Sequence, residues 1–145
     1  MTRIVYGLEE HIGHYLSAHF PELMAAGEYL PHRAAAFVDD EGMLIGAVGL
    51  SWLNPWDAEL SIHLDKPACL SRSILRELFS HCFDTLKVVR LTCHVRKSNK
   101  RARRFVERLG WKNEGCKRRG FDGVRDAIVY GMCREHCRWL KGEIS

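Results

Sequence analysis

Side chains that can move protons alternate along one short segment of the chain, from Ala58 to Leu64. Glu59, Ser61 and His63 lie two residues apart, with apolar residues between them. Such alternation predicts a β-strand with one polar and one apolar face. On the polar face, the imidazole of His63, whose ordinary pKa is about 6.5, can take a proton near neutral pH. The carboxylate of Glu59 can do the same where burial raises its pKa, so the segment predicts proton-transfer chemistry.

A second segment, Asn99–Trp111, predicts a helix with defined ends. The β-branched and apolar residues of VVRLTCHV, just before it, predict a buried strand. Ser98 or Asn99 can cap the free N–H groups at the start of the helix, and Gly110 stands where a left-handed glycine would end it. Between these ends, apolar residues recur at helical spacing, at Ala102, Phe105, Val106 and Leu109. The chain therefore runs from a strand through a capped helix into a new strand.

The rest of the chain predicts the elements that must position these two segments. Ser71 is a candidate N-cap for a helix over 71–86, and another helix is predicted over 8–20, ended by Pro21. Further strands are predicted over 2–6, 111–117 and 127–133, with a pair within 33–53 and a short helical end over 135–141. We expect the connection over 22–32 to overhang the cleft. This order predicts an α/β fold with a mixed, mostly antiparallel, twisted sheet of six to seven strands and helices on both faces.

Composition limits the class of protein. At 145 residues the chain is expected to form one domain, over 1–145, that buries about two thirds of its unfolded surface. No apolar run approaches the roughly eighteen residues of a spanning helix, and MTRIVYGLEEH has no signal-peptide pattern. The six cysteines are scattered without a C-x-x-C pair. We therefore expect reduced thiols, a cytoplasmic location and no membrane association.

The order and spacing of these motifs resemble the GNAT superfamily of acetyl-CoA-dependent N-acetyltransferases. Its pattern at the capped helix is N-x-x-(S/A)-x-x-(aromatic or aliphatic)-x-E-(K/R)-x-G-(F/W), which this chain matches at Asn99, Ala102, Phe105, Glu107, Arg108, Gly110 and Trp111. The match continues at Glu114-Gly115, Arg118 or Arg119, Asp126, Tyr130, Arg134 and Glu135, and there resembles the branch that contains the ribosomal-protein N-terminal acetyltransferases. The resemblance covers 58–138 well and 2–52 only in outline.

The resemblance implies where the site residues lie. In the GNAT fold the fourth and fifth strands splay apart, and exposed backbone of the fourth strand pairs with the pantetheine arm of acetyl-CoA. That backbone would be at Ile62, His63 and Leu64 here. Glu59 matches the acidic position that relatives use, directly or through water, to take the proton of the acceptor amine, and His63 is the second choice. The implied acceptor is a primary amine, on a small molecule or a protein N-terminus, and the family often forms homodimers through its C-terminal strands.

The phosphate-binding segment departs from the family pattern. Relatives carry (Q/R)-x-x-G-x-(G/A) before the third helix, where backbone N–H groups hold the pyrophosphate. This chain has Leu70-Ser71-Arg72-Ser73-Ile74-Leu75 there, without glycine. We expect Ser71, Arg72 and Ser73 to contact the phosphates, Arg72 through a charge-assisted bond, while Leu75 could obstruct their approach. The alternative is a cofactor site that is weakened or lost. Asn99 is the candidate for the pantetheine contact, with simple helix capping as the alternative.

A second departure is Phe105, at the position where many relatives carry the tyrosine that protonates the leaving thiolate. Phenylalanine has no proton to donate. Tyr130, Cys93 or a water is therefore expected to replace it, or the thiolate leaves unassisted.

Three possible metal ligands lie close together near the end of the sequence. They are Cys133, His136 and Cys137, which would share one face of a helix. Three local ligands without a matching pair elsewhere in the sequence predict no metal site.

Cations crowd one quarter of the chain although the net charge is only +4. They are Arg96, Lys97, Lys100, Arg101, Arg103, Arg104, Arg108, Lys112, Lys117, Arg118 and Arg119. Such a cluster favours a polyanion, which the phosphates of coenzyme A or of a nucleic acid would satisfy, and a solvated helix face is the alternative. Two other functions therefore stay open. One is a nucleic-acid-binding or DNA-base-modifying protein on the same scaffold, as in phage-encoded relatives, which the short arginine-rich chain resembles; the other is a non-catalytic binding module.

Overall fold

The computed structural model describes residues 1–24, 27–66 and 70–140. Seven strands there form one sheet: β1 (Arg3–Tyr6), β2 (Arg33–Val38), β3 (Leu44–Asn54), β4 (Asp57–Leu64), β5 (Arg90–Arg96), β6 (Lys112–Lys117) and β7 (Ala127–Cys133). Their order across the sheet is β1-β2-β3-β4-β5-β7-β6. Neighbouring strands are antiparallel except β4 and β5, which are parallel. The mixed, mostly antiparallel sheet predicted from the sequence is confirmed.

Helices cover both faces of the sheet, as predicted. Helix α1 (Glu9–His19) packs Ile12 and Leu16 against small side chains of β2 and β3. Helices α2 (Arg72–Ser80) and α3 (Lys100–Arg108) lie on the opposite face, over the larger hydrophobic core. A π-helical turn, His81–Thr85, extends α2, and short 3-10 turns occur at Pro21–Met24 and Arg134–His136. Within the described residues, no helix is long and apolar enough to cross a membrane.

The ends of α2 and α3 follow the sequence signals. The Oγ of Ser71 accepts a hydrogen bond from the N–H of Ile74 at 3.2 Å, and the Oδ1 of Asn99 accepts one from Ala102 at 3.1 Å. Gly110, after α3, has the left-handed φ of 103° that a glycine adopts without strain. Both caps and the glycine stop are therefore confirmed, with Asn99 as the cap of α3.

The connection over 22–32 and the predicted helical end over 135–141 both contain little helix in the structure. The connection over 22–32 contains only the 3-10 turn that ends at Met24, with residues 25 and 26 outside the described part. The predicted helical end over 135–141 is one 3-10 turn, after which Cys137 and Leu140 fold back into the core; residue 141 lies outside the described part. Burying these two apolar side chains favours a compact turn over a longer helix.

The parallel pair β4 and β5 stays together over only three residue pairs. Asp57, Ala58 and Glu59 face Arg90, Leu91 and Thr92, and strand pairing between the two then stops. β4 continues to pair with β3 as far as Leu64, and β5 continues to pair with β7 as far as Arg96. The sheet therefore opens into a gap after Glu59, and one edge of β4 lies unpaired along that gap.

Candidate functional site

The gap in the sheet begins at a paired carboxylate and imidazole. The Oε2 of Glu59 on β4 forms a hydrogen bond with Nδ1 of His94 on β5. His94 lies two residues beyond Thr92, the last β5 residue that pairs with β4. The side chains of Glu59 and His94 are 34% and 20% exposed, so both groups are partly desolvated and still reachable from solvent. The sequence prediction missed His94, although its alternation with Arg90 and Thr92 would have put it on the polar face of β5.

A polar network fixes the closed end of the gap. Thr92 donates its hydroxyl proton to Asp57 Oδ1 at 2.8 Å and accepts a hydrogen bond from Arg90 Nη2 at 3.1 Å. Arg90 also binds Glu114 of β6, with 2.7 Å between Nη2 and Oε1. Gly131 of β7 leaves the room for this pair, because a Cβ there would lie 2.4 Å from Arg90 Nη2. The network ties β4 to β5 and β6 where the two halves of the sheet meet.

The polar face of β4 beyond Glu59 is covered by the connection between α1 and β2. The hydroxyl of Tyr29 forms hydrogen bonds with Ser61 and Ser51, and burial raises the pKa of Tyr29. Gly49 on β3 makes this approach possible, since a Cβ there would lie 2.4 Å from the Tyr29 hydroxyl. The connection therefore lies over the sheet beside Glu59, where it can contact an acceptor.

His63 lies away from the Glu59–His94 pair. Four residues separate Glu59 from His63 along β4, which corresponds to roughly 13 Å at a rise of about 3.3 Å per residue. The ring of His63 stacks on that of His19, with 3.6 Å between centroids, and its Nε2 lies 3.0 Å from Asp65 Oδ1. The structure therefore does not bring together the two bases predicted from the sequence.

The opposite wall of the gap is apolar. The apolar face of β4, with Ile62 and Leu64, packs against the larger core. A small cavity of about 20 Å³ lies between the splayed strands and the helices; its lining is Leu60, Ile62, Leu70, Leu75, Leu78, Phe79, Cys93, Phe105, Val106, Leu109 and Trp111. Leu75 is 4% exposed, so it belongs to this buried wall and not to the exposed first turn of α2.

The first turn of α2 presents polar groups to solvent. Ser71, Arg72 and Ser73 are exposed, and the hydroxyls of the two serines lie 3.1 Å apart. The N–H groups of Ile74 and Leu75 are bonded to Ser71, which leaves those of Arg72 and Ser73 without a partner among the described residues. Exposed N–H groups at a helix start attract anions. The turn can therefore bind a phosphate although it has no glycine.

Two candidate proton donors near Phe105, Tyr130 and Cys93, differ in availability. Tyr130 is buried, and its hydroxyl donates to Glu107 Oε2 at 2.6 Å while it accepts from Arg103 Nε. Burial, together with that bond to Glu107, raises the pKa of Tyr130. Cys93 lines the apolar cavity beside Phe105, and burial raises the pKa of its thiol to about 12. Cys93 therefore holds its proton at neutral pH and faces the gap, whereas Tyr130 is held by α3.

The described residues contain two groups of side chains with metal-ligand spacing. Cys133, Glu135 and His136 form one group, and His19, His63 and Asp65 form the other. Cys137, which belonged to the trio noted in the sequence, is 2% exposed and is part of the core. The three residues noted in the sequence are therefore not brought together. Glu135, and not Cys137, lies beside Cys133 and His136.

The chain is similar to a known protein family and to solved structures. The family described as the acetyltransferase (GNAT) domain matches residues 9–112, which is more than half of the chain. No curated protein matches the sequence. Mutant forms of the spermidine/spermine N-acetyltransferase from Vibrio cholerae superimpose with a TM-score of 0.69, at 17% identity over 92% of this chain and 95% of that chain.

Two further solved structures share the fold over a smaller part of the chain. A GNAT-family acetyltransferase from Bacillus anthracis superimposes with a TM-score of 0.57, at 16% identity over 69% of this chain and 65% of that chain. The ribosomal-protein-S5-alanine acetyltransferase from Vibrio fischeri gives 0.60, at 17% identity over 72% and 63%. These comparisons give no support to a phage origin. The family match and the splayed β4 and β5 agree, and we conclude that the chain belongs to the GNAT acetyltransferase family.

Proposed function

We propose that this chain is a single-domain, cytoplasmic N-acetyltransferase that moves an acetyl group from acetyl-CoA to a primary amine by direct attack in a ternary complex. The observation that carries the proposal is the Glu59–His94 pair, which lies where β4 and β5 part. A proton acceptor at this point would face an amine that enters from the polar side of the sheet. The thioester would approach along the unpaired edge of β4.

The pair supplies the base that the reaction needs. An amine attacks only after it loses its proton, and a positioned base contributes about 10²- to 10⁴-fold to such a step. An ionised Glu59 accepts hydrogen bonds only, so Nδ1 of His94 carries the hydrogen and Nε2 offers a lone pair. His94 takes the amine proton at Nε2, and Glu59 stabilises the imidazolium that forms. Glu59 thus keeps the role predicted from the sequence but shares it with His94.

The transfer forms one C–N bond and breaks one C–S bond. The amine nitrogen adds to the thioester carbonyl, its proton passes to the Glu59–His94 pair, and the acetyl carbon leaves the sulfur. The thiolate then takes one proton, which restores electroneutrality. That proton can return from the His94 imidazolium through a water. Cys93 lines the gap, but its pKa of about 12 makes it a weaker acid than a thiol of ordinary pKa, about 8.5, so it keeps its proton.

The chain offers three contacts to acetyl-CoA, and each uses a group described above. Backbone of Ile62, His63 and Leu64 lies on the open edge of β4 and can pair with the pantetheine arm. The exposed N–H groups and side chains of Ser71, Arg72 and Ser73 can hold the pyrophosphate. Asn99, at the start of α3, retains a side-chain N–H₂ group for the pantetheine after its Oδ1 has capped the helix.

Two amine classes are proposed as acceptors. The superimposed proteins act on spermidine and spermine in one case and on the alanine of ribosomal protein S5 in the other. A small polyamine and a protein N-terminus are accordingly the first acceptors to test. The likeness of 114–135 to the ribosomal-protein N-terminal acetyltransferases favours the second.

Acetyl transfer to these amines tests the proposal. The wild-type protein is incubated with acetyl-CoA and either spermidine or an Ala-initiated peptide, and free CoA and the amide product are measured. Glu59→Gln should lower product formation at least about 100-fold while acetyl-CoA affinity stays within about twofold. Glu41→Gln, in the exposed β2–β3 turn, is the matched control and should keep full activity. Equal activity of Glu59→Gln and the wild type would reject the assignment.

The α3 surface supports a second candidate, binding of nucleic acid. Lys100, Arg101, Arg104 and Arg108 are exposed, and in the described part of the chain none of them forms an ion pair. A protein that uses several such cations on phosphates loses about 10³-fold or more in affinity between 50 and 200 mM salt. A steep salt dependence of DNA binding that disappears in Arg101→Glu/Arg104→Glu would support this candidate, whereas no binding to either acetyl-CoA or DNA would favour a non-catalytic module.

A homodimer through β6 is also proposed. β6 is the last strand of the sheet and all its residues are exposed, so its outer edge can pair with a second copy. Light scattering during size-exclusion chromatography should give twice the monomer mass of 16.7 kDa. A mass of one chain at high micromolar concentration would reject the dimer.

A further inference from the structure

A second cluster of reactive side chains lies at the far end of β4, outside the Glu59–His94 pair. His19 ends α1, His63 is on β4, and Asp65 directly follows the strand. Their ligand-type atoms all lie within 4.8 Å of one another. Two imidazoles and one carboxylate from separate elements are a set that suits Zn²⁺ and other first-row transition metals, and not Mg²⁺ or Ca²⁺.

We propose that His19, His63 and Asp65 bind one divalent transition-metal ion, such as Zn²⁺, and so join the end of α1 to the end of β4. The remaining positions around the ion would hold water, because His19 and Asp65 are exposed. The proposal does not depend on the acetyl-transfer reaction. It concerns three side chains that the reaction described above leaves unused.

The spacing between His63 and Asp65 fits a shared ion. Their Nε2 and Oδ1 atoms lie 3.0 Å apart. Two ligands at about 2.1 Å from one Zn²⁺, with an angle of roughly 90° to 110° between them, are separated by about 3.0 to 3.4 Å. An ion can therefore replace the hydrogen between these two atoms with little movement of either residue.

Neighbouring residues hold the carboxylate and the ring in place. The N–H of Asp65 binds the carbonyl of Ile45 at 2.9 Å, and its Oδ1 lies 3.0 Å from Nε2 of His63. The ring of Phe20 lies against His63, edge to face, at 6.0 Å between centroids. Such outer contacts orient metal ligands in proteins.

Only His19 has to move. Its ring is stacked on that of His63, with 12° between the planes, so the lone pairs of the two rings do not converge on one point. His19 is exposed and ends its helix, and a rotation about its side-chain torsions turns a ring nitrogen toward the ion. Metal binding should therefore break the stack, which gives a readout separate from affinity.

The Cys133 group is a weaker competitor. Burial and the nearby Glu135 carboxylate raise the pKa of the Cys133 thiol, and a thiol must lose its proton before it binds a metal. Glu135 and His136 are consecutive and exposed, and their paired atoms lie 4.0 Å apart. A test of the His19 site must nevertheless separate the two groups.

Calorimetric titration of the chelator-treated protein with ZnCl₂, and with NiCl₂, tests the site. We expect one ion per chain, with affinity weakened at least about 10-fold by His19→Ala and by Asp65→Asn. His14→Ala, exposed on the same helix and beside Glu28, should bind as the wild type does, and so should His136→Ala. Circular dichroism of each variant checks that it is folded, and His19→Gln repeats the test with a larger side chain.

Nuclear magnetic resonance of the histidine rings gives the second readout. Saturating Zn²⁺ should shift the His19 and His63 ring signals and leave those of His14 unchanged. Binding that survives in both His19 variants, or that is lost in His136→Ala, would overturn the proposal. So would the lack of binding at millimolar metal.

Discussion

The imidazole of His94 on β5 is hydrogen-bonded to the carboxylate of Glu59 on β4 at the point where these two strands cease to pair. Neither residue alone marks the site. The parallel register over Asp57, Ala58 and Glu59 brings the two side chains to the same face, and the separation of the strands beyond them leaves the pair accessible. The separation of the two strands thus exposes this pair at the start of the gap.

Removal of the imidazole should remove the proton acceptor without removing the cofactor site. We expect His94→Gln to lower the rate of acetyl transfer about 100-fold, because the glutamine amide can hydrogen-bond Glu59 but cannot take a proton at neutral pH. The KM for acetyl-CoA should be unchanged. Steady-state kinetics measure both values. His11→Gln, exposed on α1, is the control, and equal losses in both variants would contradict the role of His94.

Asn99 has a structural role that can be separated from cofactor binding. Asn99→Ala should lower the free energy of unfolding by about 1 kcal/mol, because the Ala102 N–H loses its cap. Asn99→Asp should keep most of that stability, since a carboxylate caps a helix equally well. Urea unfolding measures the difference. If Asn99→Asp nevertheless weakens acetyl-CoA binding, its side-chain N–H₂ contacts the cofactor; unchanged binding in both variants limits Asn99 to capping.

Gly13 allows the connection before β2 to lie directly on α1. A Cβ at Gly13 would lie 2.6 Å from the backbone carbonyl oxygen of Tyr29, although alanine is favoured over glycine in a helix by about 1 kcal/mol. Overpacking against backbone costs about 1–3 kcal/mol, so Gly13→Ala should destabilise the protein by up to about 2 kcal/mol. Thermal unfolding should show a lower Tm for Gly13→Ala than for the wild type. A raised Tm would contradict this prediction, because it would show that the connection moves away from the new methyl group without loss of stability.

The Cys93 thiol should resist alkylation in the folded protein. Burial, followed by the charge of Glu59, raises the pKa of this thiol to about 12, about three units above that of an ordinary cysteine. At pH 8 this leaves about a thousandfold less thiolate than an ordinary cysteine has. Iodoacetamide followed by peptide mass spectrometry should therefore modify the exposed Cys116 and spare Cys93. Equal modification of both thiols would contradict this burial.

The raised pKa of Cys93 also makes the free energy of unfolding depend on pH. Because the folded-state pKa of Cys93 lies above that of the unfolded chain, its thiol stabilises the fold fully below pH 9, and this contribution is lost as the pH rises toward 12. The free energy of unfolding should therefore fall above pH 9. Cys93→Ala should show a smaller fall, as measured by urea unfolding at pH 8 and pH 10.5, and an identical slope in the two proteins would rule out Cys93 as its source.

Local signals in the sequence predicted the elements well. Ser71 and Asn99 cap helices, Gly110 ends one, and strand β7 has the bounds predicted for it, because caps and alternation depend on neighbouring residues only. The Glu59–His94 pair is different, since 35 residues separate its members and only strand register joins them. The resemblance to GNAT enzymes pointed to Glu59, and alternation puts His94 on the polar face of β5, but neither signal shows that the two residues pair.

The partners of His63 were likewise not specified by the sequence. Alternation correctly placed the His63 side chain on the polar face of β4. That strand is eight residues long, and the position of a residue along it decides which side chains it contacts. His63 meets His19 and Asp65 at the end of the strand, out of reach of Glu59. The burial of Tyr130 and Leu75 likewise depended on how α2 and α3 pack, which spacing along one helix does not specify.

Calorimetric titration with acetyl-CoA tests the central claim most directly, because acetyl transfer requires this complex whatever the acceptor. We predict one site with a micromolar Kd, weakened at least about 10-fold by Arg72→Ala and unchanged by the control Arg3→Ala on β1. Glu59→Gln should bind as tightly as the wild type, since the pair acts on the amine. No heat of binding at millimolar acetyl-CoA would contradict the proposed function.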